Sequence, residues 1–274
     1  MKKILLSLGA LAAVMIALPM FSAFEAHVIN VTAQIENALS VPVTPISFGT
    51  VFPQEHLDKT LPISLSSSFL AEQDANDVEY IIRQKPKCGV TSADGTVLDG
   101  PTWTGHVVVV GGDTQGYTSY IDCEQDRPEG VEPSGNGLDF YLLPSLCEYI
   151  SKHPDKDEAV QNDGSLNSFH KPFTISTSTG AIIWNDVHGR LAKSDAVIGT
   201  STGDILDTWT IDLAVPCFGG YCAQDWLKFV RDITGNQNMT LEEANEYVQS
   251  MDNEHKVFGC NLWVEVTGVS RRSQ

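Results

Sequence analysis

One stretch of the sequence spaces oxygen-bearing side chains as a calcium loop does. In DITGNQNMTLEE, residues 232–243, Asp232, Thr234, Asn236, Asn238, Thr240 and Glu243 fall at loop positions 1, 3, 5, 7, 9 and 12. Asp232, Asn236 and Glu243 are the candidate ligands. Gln237 stands where the sharp turn needs glycine, and only Asp232 and Glu243 bring charge. Thr240 and Glu243 also spell a capping box, so a capped helix after a polar loop accounts for the same letters. Calcium is the one cofactor the sequence suggests.

Other chemistry is thinner. The seven histidines, His27, His56, His106, His153, His170, His188 and His255, include no HExxH and no pair four apart, so a zinc site has no local signature. There is no GxSxG, P-loop or GxGxxG, and GTSTGD at 199–204 reads as a turn. No catalytic residue is assigned. Cys88, Cys123, Cys147, Cys217, Cys222 and Cys260 are disulfide candidates, an even set behind an apolar leader. Cys217 and Cys222 enclose FGGY and can close a small loop, while CxxC spacing for zinc is absent.

The leader, residues 1–23, joins Lys2 and Lys3 to an uncharged run from Ile4 to Phe21 and reads as a secretory signal, with a retained anchor as its rival. Its removal takes Lys and Arg from 17 to 15 against 35 Asp and Glu, moving the net charge from −18 to −20. So acidic a chain repels nucleic acid and anionic lipid, leaving the membrane as a partner only before cleavage. The remaining residues, 24–274, read as a single domain with enough apolar sequence for a large core.

Positioning falls mainly to β-strands. Ile29, Val31, Ala33 and Ile35 alternate with Asn30, Thr32 and Gln34. Period-two patterning recurs at 61–65, 209–215 and 258–266, and VEYIIRQK at 78–85, HVVVV at 106–110 and LDFYLL at 138–143 read as further strands. Gly-, Pro- and Asp-rich joints at 126–137 and 153–167 read as surface loops. Short helices are expected at 144–152, 223–233 and 240–251. This is a mainly β chain, a jelly-roll-like β-sandwich with a few short helices in its loops.

Three segments carry a family resemblance. The leader ends FSA before Phe24, with aromatic Phe21 where an ordinary signal prefers a small residue. ISFGTVFPQEHLDKTLPISLSSS at 46–68 runs strand, turn, strand, with Gln54 in the turn where glycine is usual. The chain closes on a strand, CNLWVEVTG at 260–268. In these features it resembles the TasA/camelysin family of secreted bacterial proteins and their archaeal relatives; the cysteine-bearing middle does not match TasA itself. The resemblance implies an exported jelly roll, cut between Ala23 and Phe24 by a dedicated signal peptidase. It also implies filaments in which the N-terminal segment of one subunit completes the sheet of the next. Camelysin-like members have been called metalloproteases.

The leading expectation is therefore a structural subunit of an extracellular filament, biofilm-matrix fibre or cell-surface layer, whose partner is itself as a homopolymer. Residues 24–36 form the assembly strand, with Ile29, Val31, Ala33 and Ile35 inserting into a neighbour. Pairing of this segment inside its own sheet stands as the other reading. The rival functions are a secreted monomeric binding module or adhesin and a metal-dependent peptidase. Asn30 and Asn238 lie in glycosylation sequons, and sugar at Asn30 would obstruct strand docking.

Overall fold

Apolar and polar residues alternate through most of the chain, and antiparallel strands result. The computed structural model describes residues 35–91, 101–112, 116–129, 139–155, 164–193 and 203–271. Two units divide at Glu36/Asn37; of the first, Met1–Glu36, only Ile35 and Glu36 are described. In the second unit, β1 is Leu39–Ser40, β2 His56–Leu65, α1 Ser67–Ala71, β3 Ala75–Lys85, β4 Lys87–Thr91, β5 Trp103–Thr104, β6 His106–Gly111 and β7 Tyr117–Asp122. They are followed by β8 Asp139–Leu142, β9 Ile150–His153, β10 Phe173–Ile175, β11 Ile182–Trp184, β12 Val187–Ala192 and β13 Leu206–Ala214. The chain closes with α2 Trp226–Thr234, α3 Leu241–Asn245 and β14 Asn261–Arg271.

Two sheets enclose the core. One has the order β1-β2-β13-β9 and the other β12-β3-β14. Leu61, Ile63 and Leu65 of β2 and Trp209, Ile211 and Leu213 of β13 meet Val78, Tyr80 and Ile82 of β3 and Val187 and Leu191 of β12 in one buried cluster. Each large side chain so buried contributes about 1.5–3 kcal/mol against exposure. The sandwich expectation holds. The described residues supply seven strands to these two sheets, one fewer than an eight-stranded jelly roll requires.

Tyr80 crosses the core: its hydroxyl donates to Asp207 and accepts from the Trp209 indole N–H at 2.7 Å. Gly189 of β12 pairs opposite Tyr80, and a Cβ there would lie 2.3 Å from the Tyr80 ring. The ring occupies the space a side chain would take. Gly189→Ala is therefore expected to lower stability by about 2 kcal/mol, in the range of core overpacking, read as a lower midpoint in urea.

Several local expectations are corrected. PSLCEYISK at 144–152 forms a single 3-10 turn, Cys147–Tyr149, and then strand β9, because pairing with β13 outcompetes a short isolated helix. The helix expected at 240–251 stops at Asn245; beyond it Gln249 donates to the Cys217 carbonyl at 2.9 Å, which draws the chain away. HVVVV at 106–110 is half of the two-stranded β6–β7 ribbon, where Val107 is buried but Val110 is exposed. The helix at 223–233 appears as α2, closed by Gly235 at φ 70°, a left-handed end that glycine adopts without penalty. In the turn before β2, Gln54 adopts φ 64° after Pro53, and Glu55 N donates to the Phe52 carbonyl at 3.1 Å. Proline followed by a positive φ suits a type II turn. Gln54 thus takes the conformation that glycine usually supplies.

Candidate functional site

The C-terminal strand is an open edge. β14 reads NLWVEVTGVSR and pairs only with β3 among the described residues. Antiparallel partners share a sheet face, so Leu262, Val264, Val266 and Val269 lie on the core side, opposite Gln84, Ile82, Tyr80 and Val78. Leu262 and Val264 pack on the core, whereas Val266 is 46% exposed and Val269 49%. Core-facing valines are left half-covered where the sheet ends. A regular run, Asn261–Val266, precedes a bulge between Val266 and Gly268.

The opposite face of β14 is fixed by charge. Glu265 accepts from Arg83 Nη1 at 3.2 Å and lies 3.4 Å from Lys85 Nζ, while Arg83 Nη2 holds Asp186 at 3.0 Å. Lys85 Nζ sits 3.3 Å from the centroid of the Trp263 ring, a cation–π contact. These side chains hold the register, while the other backbone edge of β14 has no partner strand among the described residues. β2 is another incomplete edge: β13 pairs along His56–Ser64, but on the other side β1 covers only Ser64 and Leu65. Pro62 in β2 has no N–H to offer an incoming strand, so β14 is the better acceptor of these two.

The expected assembly residues Ile29, Val31 and Ala33, and the cleavage residues Phe21, Ala23 and Phe24, lie outside the described residues; Ile35 is described and exposed. The sequon residue Asn30 also lies outside them, whereas Asn238 is described, its N–H donating to Asn236 Oδ1 at 3.1 Å. The calcium candidates are engaged elsewhere. Asp232 pairs with Lys228 at 2.5 Å, and Glu243 accepts from Thr240 N at 2.6 Å in the capping box. The hydrogen bonds from Thr240 hold the Glu243 carboxyl below its ordinary pKa. The capped-helix reading describes the segment's geometry. Among the described residues, no group of three or more His, Cys, Asp or Glu is placed to hold a metal ion.

The cysteines pair as Cys88–Cys123, Cys147–Cys260 and Cys217–Cys222. Three disulfides suit an oxidising environment. Among the described residues no helix is long and apolar enough to cross a membrane, which says nothing of a β-barrel.

A second polar cluster lies on the outer face of the four-stranded sheet. His56 Nε2 is 2.6 Å from Asp212 Oδ2, and Ser151 Oγ donates to the same oxygen at 3.4 Å. His153 is nearby, its pKa lowered by burial and by His56 and raised in part by Asp212. Sequence spacing gave no sign of this cluster, because three separate strands assemble it. Comparison with models of known protein families, with curated proteins and with solved structures finds no match to this chain.

Proposed function

We propose that the protein is a structural subunit of an extracellular filament or surface layer, in which residues 24–36 of one copy add a strand to β14 of the next. The observation that carries this reading is the edge of β14, which pairs only with β3 among the described residues, with its half-exposed core-facing Val266 and Val269. Strand addition supplies backbone hydrogen bonds for affinity and alternate side chains for fit. Ile29, Val31, Ala33 and Ile35 have the alternation to continue the apolar face of Leu262, Val264 and Val266. Using one surface on a different surface of the next copy gives an open polymer. The disulfides support export.

Electron microscopy of the protein beginning at Phe24 is expected to show filaments. A form lacking residues 24–36, and a Val266→Lys variant that places charge at the docking edge, are expected to stay monomeric. Monomers from all three at high concentration would overturn the reading, and filaments from the truncated form would move the assembly contact elsewhere.

A further inference from the structure

Lys152 and Gln84 are both fully buried, one on each sheet. Lys152 pairs with Ile211 in β9–β13 register and so faces the core, and Gln84 shares the core side of β3 with Ile82 and Tyr80. Lys152 Nζ lies 2.8 Å from Gln84 Oε1, its one hydrogen bond among the described residues. A buried ammonium ion facing a neutral carboxamide is strongly disfavoured. Burial pushes the Lys152 amine down to about 7, with Asp186 opposing the shift, so a neutral amine with a free lone pair is available near neutral pH.

The surroundings are suited to reaction at the carboxamide. His170 Nε2 stands 2.6 Å from the same Oε1, and Gln84 Nε2 donates to the Ile150 carbonyl at 3.1 Å. The amide is thereby held at both ends. His170 Nδ1 is 2.8 Å from the Asn167 carbonyl, so both ring nitrogens face acceptors. Burial keeps the ring neutral, helped by Lys152 whenever its amine is charged, with one proton to share between the two nitrogens. The residue before it, Phe169, has φ 63°, a left-handed conformation that a bulky side chain rarely adopts. Its ring is held by edge contacts with Tyr149, Trp226, Phe229 and Tyr247. Strain of this kind persists where the surrounding structure fixes it, and here it sits immediately before His170.

We propose that Lys152 and Gln84 join in an intramolecular isopeptide bond that ties the two sheets of the sandwich. The neutral Nζ attacks Gln84 Cδ, forming the new C–N bond. His170 Nε2–H donates to the oxygen as negative charge develops there. The Cδ–Nε2 bond then breaks, and the departing nitrogen takes a proton from Nζ and leaves as ammonia. An amine and a carboxamide give a secondary amide and ammonia, with no oxidant or other reactant. The product has no buried ammonium, which removes the charge that opposes a proton on His170. The link joins β3 to β9 between residues 68 apart in sequence, and it survives reduction. It stands independently of the filament reading.

The test is the mass of the reduced, denatured wild-type protein. It is expected to be lighter than its sequence by one ammonia, and digestion is expected to release a branched peptide joining Lys152 to Gln84. Gln84→Glu is expected to reach the same product by losing water, and Lys152→Arg to show its full sequence mass. A wild-type chain at full sequence mass, with Lys152 fully acetylated by reagent once unfolded, would overturn the proposal. That readout needs no variant to fold.

Discussion

Replacing Cys147 and Cys260 together by alanine is expected to cost about 4–5 kcal/mol, the largest loss from any one disulfide here. The bond closes a separation of 113 residues, against 35 for Cys88–Cys123 and 5 for Cys217–Cys222. In the chain-entropy account the gain grows with the logarithm of the loop, giving about 4 kcal/mol for the intermediate bond and about 2 for the shortest. The long bond also joins the turn before β9 to the residue before β14, one from each sheet. Urea unfolding of three double-alanine variants measures the order. Equal losses from all three would rule out loop closure as the governing term. Double replacement leaves no unpaired thiol at buried Cys147.

Acid is expected to weaken the fold through His170 by about 3 kcal/mol, taking roughly 1.4 kcal/mol per pKa unit. Burial is the first cause that pushes this imidazole from 6.5 down to about 4, and the Lys152 charge is the second. The unfolded chain therefore takes up a proton near pH 6.5 that the folded chain refuses until about pH 4. This contribution is complete above pH 6.5, falls as the pH drops through that window, and levels below it. The groups that face the ring are Gln84 and the Asn167 carbonyl, with Lys152 behind Gln84. Acylation of Lys152 would leave burial, the larger cause, in place. Urea midpoints of the wild type and His170→Gln, measured from pH 7 to pH 4, are expected to converge at the acid end relative to the neutral end. Parallel profiles would sink this assignment.

Strand content was legible because one sheet face is dry and the other wet. Leu61, Ile63 and Leu65, and Trp209, Ile211 and Leu213, alternate in the sequence and are buried in the structure. Helix α2 was legible from Trp226, Phe229 and Val230, and the Thr240–Glu243 cap from its two letters. Segments with competing local readings were not. PSLCEYISK has the composition of a helix, but β13 offers it a partner over Ile150–His153. VVVV at 107–110 has the composition of a buried strand, but a two-stranded ribbon cannot cover both of its faces.

The sequence by itself determined the β architecture, the acidic charge and the presence of six cysteines, since each depends on composition or on neighbours close along the chain. Only the tertiary structure decided which cysteines pair, that β14 ends its sheet among the described residues, and that Lys152 meets Gln84 inside the sandwich. Those contacts join residues far apart in sequence, and a local pattern carries no record of which distant strand will lie alongside. The proposed assembly edge and the proposed cross-link both belong to that second class.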